Sequence, residues 1–211
     1  MLAMLMTALR ASLATCVLCG LLYPLAVDGL AQLALPYQAN GSLERDADGA
    51  VIGSRLIGQR WEGPEWFHGR PSATTAADPG DAAKTVPAPY NAASSGGSNL
   101  GPTNKALMDR LMADRQTLER AQPELAGKVL PADMLTTSSS GLDPDISPAH
   151  ALLQAPRVAR ARGVPVETII ALIDKHVAGR SLGIFGEPRV NVLALNRALQ
   201  HDHPTPRKGS N

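Results

Sequence analysis

The sequence contains few cysteines, few aromatic residues and no cluster of charge of one sign. Both cysteines, Cys16 and Cys19, lie in an apolar run, where we expect their thiols to act as small apolar groups. Aromatic residues make up 3% of the chain, which disfavours stacking surfaces for bases or sugars. The 20 basic and 19 acidic residues are scattered and give a net charge of +1, so we expect no nucleic-acid partner.

Motifs of self-contained enzymes and channels are also missing. The sequence has no GxxxxGK[ST] phosphate loop, no Asp-Lys-Thr-Gly phosphorylation motif and no TVGYG-like potassium filter. Its five histidines lack the spacing of an H-E-x-x-H zinc site. We therefore predict no catalytic residue, no metal site and no covalently bound cofactor in this chain.

The most informative feature that is present is the apolar N-terminal run. Residues 11–27 carry no charge, and the run extended to Leu35 is long enough for a hydrocarbon layer of ~30 Å. We predict a transmembrane helix over residues 7–35, kinked at Pro24, with Asp28 near one interface. Its length and weakly basic start favour an uncleaved signal anchor over a cleaved signal peptide. The positive-inside rule leans towards an inside N-terminus and an outside body.

Behind this helix the sequence predicts a small α+β domain over residues 36–200 and a disordered tail over residues 201–211. Within the domain, residues 66–104 are rich in Pro, Gly, Ser and Ala and show neither a helical nor a strand period. Such a long stretch without regular structure is uncommon in a compact domain. We therefore expect it to be either functional or disordered.

Turn residues predict the strands of this domain. Asp48-Gly49 between two β-type runs indicates a hairpin with a two-residue turn. Gly53 and Gly58 indicate a bulge or close backbone approach in its second strand. A further short strand is predicted at Val129–Leu135, and a strand followed by a helix at Val190–Leu199.

Helix-starting and helix-ending residues predict three helices in the second half of the chain. These helices run from Pro102 to Pro123, from Ser147 to Gly163, and from Pro165 to Gly179. Each begins with a proline at the first helical position, and the second carries Ser147 as its N-cap. Pro156 predicts a kink within the second helix.

Three short segments carry residues with candidate chemistry. The backbone N–H groups of Ser95–Asn99 either face an anion at the start of the following helix or belong to an ordered turn. Asp143 and Asp145 either ligate a cation or cap the helix that follows, and we favour the cap. In the loop with His68, we expect Arg70 to bind carbonyls or carboxylates rather than to act in catalysis.

Six strings, in order, closely resemble the C subunit of the bacterial Kdp potassium-transporting ATPase. They are SRLIGQ (54–59), FHGRPSA (67–73), YNAASSGGSNLGPTN (90–104), SGLDPDISP (140–148), QAPRVARARG (154–163) and GEPRVNVLALN (186–196). The N-terminal CGLLYPLAVDGLAQ resembles that subunit's single membrane span. The resemblance covers the chain except its tail and parts of residues 74–89 and 105–130, and Asp145 departs from many relatives.

The resemblance implies a role in a four-part complex of the bacterial inner membrane. Its partners would be a channel-like potassium subunit, a P-type ATPase subunit and a small hydrophobic subunit. The C subunit would assist assembly and act as a catalytic chaperone that raises ATP affinity through a transient ternary complex, while a partner carries K⁺. A nucleotide contact by this chain would be expected at Ser95, Gly96, Gly97, Ser98, Asn99 and Gln154.

The resemblance also places the polar body on the periplasmic side, whereas ATP is cytoplasmic. An indirect effect on ATP affinity, through one favoured conformation of the complex, is therefore the physically simpler expectation. Two alternatives of other classes stay open at this point. One is a membrane-anchored periplasmic hydrolase that uses the Gly/Ser-rich loop, and the other is a stand-alone nucleotide-binding module.

Overall fold

A computed structural model describes residues 1–205 of the chain. It has a mixed α+β fold with one long apolar helix at the N-terminus, so the predicted fold class is confirmed. By compactness the chain divides into a first unit, Met1–Ile52, and a second unit that begins at Gly53.

The N-terminal helix, Leu2–Ala34, is 33 residues long and is apolar enough to cross a membrane. Its α-helical parts, α1 (Leu2–Val17) and α2 (Tyr23–Ala34), flank a π-helical turn over Leu18–Leu22. Pro24 has no N–H to donate to the carbonyl four residues earlier, and the wider turn directly before it changes the hydrogen-bonding register at this point. No side chain of α1 or α2 is buried.

A hairpin follows the long helix. Its elements are a short helix α3 (Pro36–Ala39), β1 (Leu43–Arg45) and β2 (Val51–Ser54). The hairpin predicted here is present, but the prediction that its turn has two residues is wrong. The N–H of Asp46 donates to the carbonyl of Ala50 at 3.0 Å, so three residues form the loop. Gly49 takes the left-handed conformation (φ 83°) that a loop of this type requires at its last position.

Close backbone approach at Gly53 and Gly58 is confirmed. A Cβ on Gly58 would lie 2.5 Å from the carbonyl oxygen of Asp143, and one on Gly53 would meet the side chain of Gln59. Gly58 lies beyond the end of β2, and its N–H donates to the carbonyl of Leu142 at 2.7 Å. Glycine is therefore needed at position 58, because the backbone of Asp143 occupies the place of a side chain, whereas at Gly53 the obstacle is the flexible side chain of Gln59.

Residues 66–104 contain a hairpin, so the prediction that they have no regular structure is wrong. β3 (Thr75–Asp78) and β4 (Asp81–Pro87) pair antiparallel. The turn between them holds Pro79 and Gly80. These short strands of mostly Ala, Thr and Asp carry no apolar alternation, so pattern reasoning gives no sign of them.

The first of the three predicted helices begins later than its sequence suggests. α4 (Lys105–Ala121) starts three residues after Pro102, because the side chain of Asn104 accepts a backbone hydrogen bond of 2.9 Å in the first turn. The strand predicted at Val129–Leu135 is wrong, since this segment contains a 3₁₀ turn, Ala132–Met134. A proline within it lacks the donor that a strand ladder uses.

The second predicted helix has the expected limits. The hydroxyl of Ser147 accepts the N–H of His150 at 3.1 Å at the start of α5 (Pro148–Arg162). Gly163 ends it in the left-handed conformation with φ 68°. The helix is continuous through Pro156.

The third predicted helix is shorter than expected. α6 (Val166–His176) begins after Pro165, and the predicted end at Gly179 is wrong because Val177–Ala178 form the strand β6. The apolar face of α6 packs into the core. This face consists of Val166, Ile169, Ile170 and Ile173, and Val177 extends it from β6.

The third sheet has three strands and leads into the last helix. β7 (Arg189–Asn191) lies between β5 (Asp145–Ile146) and β6, and pairs antiparallel with both. α7 (Val192–Asp202) follows directly, which confirms the strand and helix predicted at Val190–Leu199. The helix thus extends two residues into the predicted tail, whose residues 206–211 lie outside the described part of the chain.

The core lies where α6 packs against α5 and α7 beside β7. Side chains from these elements, Ile146 of β5 and one residue from a loop fill it. Its fully buried members include Phe67, Ala151, Ala155, Val158, Ile169, Ile173, Val190, Leu195 and Leu199. Phe67 comes from the loop, so its burial in the core holds that loop against the helices.

Candidate functional site

Two buried amides hold the segment Gly63–His68, which turns at Pro64 and Glu65, on the helices. The Oδ1 of Asn196 accepts the N–H of Phe67 at 2.9 Å, and its Nδ2 donates to the Phe67 carbonyl at 2.9 Å. Gln154 makes the same pair of bonds with His68, at 2.8 and 2.9 Å. We call these two amides, from α5 and α7, the amide clamp. It satisfies four backbone groups that burial would otherwise leave unpaired.

Two arginines of α5 bind the same segment. Arg157 donates to the carbonyls of Pro64 at 2.6 Å and Trp66 at 2.9 Å. Arg162 donates through Nε to the carbonyl of Glu65 at 3.0 Å. Burial lowers the pKa of Arg157 to about 10, so it keeps its charge at neutral pH. One face of α5 therefore binds the segment Gly63–His68, and nearly all of the hydrogen bonds go to backbone groups of that segment.

A cavity of about 370 Å³ lies beside the clamp. Its polar lining consists of Arg60, His68, Arg70, Ser72, Tyr90, Asp114, Thr117, Gln122, His150 and Gln154. Burial, and then the charge of Asp143, raise the pKa of Tyr90 to about 12, and its hydroxyl donates to the carbonyl of Arg70 at 2.6 Å. Burial, and then the charge of Arg157, lower the pKa of His68. Both groups are therefore uncharged at neutral pH.

Asp133 binds the first turn of α5. It accepts the N–H of Ser147 at 2.7 Å and its hydroxyl at 3.0 Å, and Nδ1 of His150 lies 3.2 Å away. Burial alone raises the pKa of Asp133, but the hydrogen bonds from His150 and Ser147 lower it to about 2. The serine hydroxyl bonds to the carboxylate and not to the imidazole. These three residues therefore cap a helix and do not form the nucleophile and base pair of a hydrolase.

The Asp133 carboxylate makes the free energy of unfolding depend on pH in the acidic range. Its folded pKa is lower than its unfolded value, so its contribution is present above about pH 4 and is lost as pH falls towards 2. We expect this loss to be about 2 kcal/mol of unfolding free energy in the wild type. Denaturant unfolding of the full chain in detergent, between pH 2 and pH 6, measures it. The Asp133→Asn variant is the control, and parallel pH curves for the two chains would contradict the assignment.

Four of the predicted site residues, Ser95, Gly96, Gly97 and Ser98, pack against residues 137–141. The fifth, Asn99, has a left-handed backbone with φ 53°. The N–H of Gly96 and the hydroxyl of Ser95 both donate to the carbonyl of Ser140, at 2.9 and 3.0 Å. The loop is thus an ordered turn. It does not run straight into a helix, because α4 begins only at Lys105.

Gln154 lines the cavity beside the clamp, and none of Ser95–Asn99 does. Both ends of its amide bond to His68, so a nucleotide contact by Gln154 would have to share the amide with those bonds. Nucleotide binding at these positions stays a prediction.

The two carboxylates of the 140–148 string bind arginines. Asp143 lies 2.8 Å from Arg70, and Asp145 lies 3.1 Å from Arg189. The favoured prediction that they cap the following helix is wrong, because Ser147 takes that position. The prediction that Arg70 fixes its loop through a carboxylate is confirmed. Within the described part of the chain, no group of three or more His, Cys, Asp or Glu residues is placed to hold a metal ion.

Pattern reasoning missed Asn196, Asp133 and Tyr90. Asn196 had a usable signal, because it is a polar residue among the apolar positions Val192, Leu195 and Leu199 of one helix. A polar side chain on a buried helix face must find hydrogen bonds. Asp133 lies in a short 3₁₀ turn and Tyr90 in a loop. Neither segment has a helical or strand period from which the hydrogen-bond partners of these side chains could be predicted.

Comparison with known proteins agrees with the resemblance. The family model described as "K+-transporting ATPase, c chain", KdpC, matches residues 5–201. A protein of Methylobacterium nodulans named "Potassium-transporting ATPase KdpC subunit" is 61% identical over 182 residues, which are 86% of this chain and 89% of that protein.

Two further relatives carry the same name. One, from Rhodopseudomonas palustris (strain ATCC BAA-98 / CGA009), is 58% identical over 91% of this chain and 94% of its own length. The other, from Bradyrhizobium diazoefficiens, is 59% identical over 85% of this chain and 88% of its own length. The matched family region includes both the long apolar helix and the amide clamp. The chain therefore belongs to the KdpC family, the c chain of K⁺-transporting ATPases.

Proposed function

We propose that this chain is a non-catalytic, membrane-anchored accessory subunit of an ATP-driven potassium uptake complex. The observation that carries the proposal is the extent of the family match, which spans residues 5–201 and so includes both the apolar helix and the body. The contacts of the described serine and histidine residues support a structural use of these groups. Asp133, Ser147 and His150, for example, serve the first turn of α5.

The partners in this proposal are a channel-like potassium subunit, a P-type ATPase subunit and a small hydrophobic subunit. K⁺ is cargo carried by a partner. Small residues along the apolar helix offer surfaces for close helix approach. They are Gly20, Ala26, Gly29 and Ala34. Mild detergent extraction of the tagged full chain should co-purify the large ATPase subunit, and a chain that runs alone in native gels would overturn the proposal.

We place the body on the extracytoplasmic side of the inner membrane, with the N-terminus inside. The uncharged run and the one candidate span found within residues 1–205 support an anchor of this kind. Protease added to intact spheroplasts should then cut the body of the full-length chain. Full protection, with cutting only after the membrane is opened, would place the body inside.

The proposed effect on the pump is a rise in ATP affinity, as a catalytic chaperone. Because the proposed body lies across the membrane from ATP, the effect would come from stabilising one conformation of the complex. Couplings of this kind typically change affinity by roughly 5–150-fold. The ATPase rate of complexes with and without this chain, measured against ATP concentration, tests this, and equal half-saturation would exclude it. Titration of the full chain with ATP tests direct binding through Ser95–Asn99 and Gln154.

A further inference from the structure

The helix α4 lies on the surface of the body and forms one wall of the cavity beside the amide clamp. Asp114, Thr117 and Leu118 of this helix line the cavity, which has a volume of about 370 Å³. None of the 17 residues of α4 is buried, whereas the 15-residue helix α5 has a continuous buried face. The helix therefore covers the cavity without belonging to the core.

The ion pairs of α4 lie within the helix itself. They join side chains four positions apart at 2.6 to 2.9 Å, Lys105 with Asp109, Arg110 with Asp114 and Arg115 with Glu119. Pairs at this spacing stabilise a helix through its own residues. One further bond, from Arg115 to the carbonyl of Lys128 at 3.1 Å, ties the helix to the segment that follows it. The helix therefore keeps its ion pairs when it moves away from the cavity.

The position of α4 over the body leaves part of Arg110 without partners. Its Nη1 lies 2.9 Å from Asp114, but its Nε and Nη2 are buried and have no hydrogen-bond partner among the described residues. A buried donor without a partner is unfavourable, because water would satisfy it outside the fold. Movement of the helix away from the body would hydrate both donors, which favours such a movement.

The two ends of α4 are held differently. Residues 101–106, which lead into the helix, are all exposed. At the other end, Gln122 is 4% exposed and Leu125 is fully buried, and Glu124 lies 3.3 Å from Arg160 of α5. The chain leaves the helical conformation at Gln122, with φ −136° and ψ 82°. A movement of the helix would therefore turn about its C-terminal end.

We propose that α4 is a hinged lid, which turns about Gln122 and opens the cavity to solvent while it stays helical. The volume of the cavity lies within the range of small-molecule sites, roughly 300–1,000 Å³. Met134 lines the cavity and is 4% exposed, so a bulky reagent reaches its side chain only when the lid is open. The inference does not depend on the proposed function, because it concerns the body of this chain alone.

A thiol at position 134 reports the opening of the lid. The two cysteines of the sequence lie in the apolar helix, so Cys16→Ala with Cys19→Ala gives a full chain without thiols. In this chain, in detergent, we expect Met134→Cys to react with a maleimide at least about 10-fold faster than Val158→Cys. Val158 is the control, because it is fully buried in the core and does not line the cavity. Equal rates would overturn the lid.

A charge on the cavity side of α4 should shift the lid towards its open position. Leu118→Asp removes an apolar contact and should raise the labelling rate of Met134→Cys about 10-fold. Met112→Asp is the matched control on the same helix, because Met112 is 54% exposed, and it should leave the rate unchanged. An unchanged rate in Leu118→Asp contradicts the lid. A rise that Val158→Cys shares is unfolding of the body and contradicts it as well.

Hydrogen exchange of the same full chain separates a hinged helix from a melting one. If α4 turns as a unit, its backbone hydrogen bonds persist in the open position. The amides of residues 109–119 should then be protected more strongly than the thiol at position 134, and this result supports the lid. Equal protection of the amides and the thiol would mean that α4 unfolds to expose the cavity, which overturns the hinged lid.

Discussion

Replacement of Asn196 by alanine is expected to lower the free energy of unfolding by about 3–5 kcal/mol. The variant loses both hydrogen bonds to Phe67, which are 2.9 Å long, and leaves a buried N–H and a buried carbonyl without partners. Each unpaired buried group costs roughly 1–3 kcal/mol. Since domains are stable by only about 5–15 kcal/mol, the body of this variant should be close to unfolding.

Tryptophan fluorescence during urea unfolding of the full chain in detergent measures this loss. Trp61 and Trp66, the two tryptophans of the sequence, have ring centroids 5.0 Å apart next to the clamped segment. Asn40→Ala is the control, because Asn40 is exposed, and its unfolding should change by less than about 0.5 kcal/mol. A wild-type midpoint in Asn196→Ala would contradict the clamp.

The second half of the clamp gives a sharper form of the test. Gln154→Ala should lose a similar amount, since Gln154 makes the same two bonds to His68. In the double variant with Asn196→Ala, the loss of unfolding free energy should be less than the sum of the two single losses. Both amides hold one segment, so removing either amide frees the segment and weakens the bonds made by the other amide. Full additivity would mean that Phe67 and His68 are held independently.

Gly141→Ala is expected to destabilise the body by about 3 kcal/mol. A Cβ at this position would lie 2.6 Å from the carbonyl oxygen of Gly96 and 2.5 Å from the side chain of Thr74. Its backbone also has φ 66°, which disfavours any side chain. Because the carbonyl belongs to the backbone, relief of the clash must separate Ser95–Asn99 from its neighbouring loop.

Gly127→Ala separates the two causes. Gly127 has φ 71° but a Cβ there would meet nothing within 4 Å, so this variant carries the backbone strain without the clash. We expect it to lose only about 1 kcal/mol, compared by the same urea unfolding. Equal losses in Gly127→Ala and Gly141→Ala would show that the packing of Ser95–Asn99 adds no stability.

Local signals predicted both ends of α5, but they misplaced one end of α4 and one end of α6 and missed one strand pair. Ser147 and Gly163 bound α5 as expected, because a cap bonds to residues only three or four positions away. The β3–β4 pair was missed, since its strands of mostly Ala, Thr and Asp have no apolar alternation. The helix predicted from Pro102 begins three residues later, because the side chain of Asn104 caps it and the prediction relied on the proline alone.

The six strings that carry the family resemblance were visible in the sequence, but the contacts between them in the folded domain were not. Three of them, 67–73, 154–163 and 186–196, supply Phe67, His68, Gln154 and Asn196 to the amide clamp. The partners are separated by 129 and 86 residues. No period in the sequence relates positions that far apart.

By itself, the sequence determined the long apolar helix, the limits of α5, the class of fold and the family. The helix, the limits of α5 and the fold class follow from composition or from residues that act on near neighbours, where hydrophobicity and backbone geometry are decisive. The family follows from the resemblance of the six strings. Only the tertiary structure decided that Gln154 and Asn196 hold a loop, that Asp143 and Asp145 bind arginines, and that apolar side chains stay exposed in the loop between β6 and β7. A polar side chain forms whichever hydrogen bonds the packed core leaves unpaired, and that choice exists only once the chain has folded.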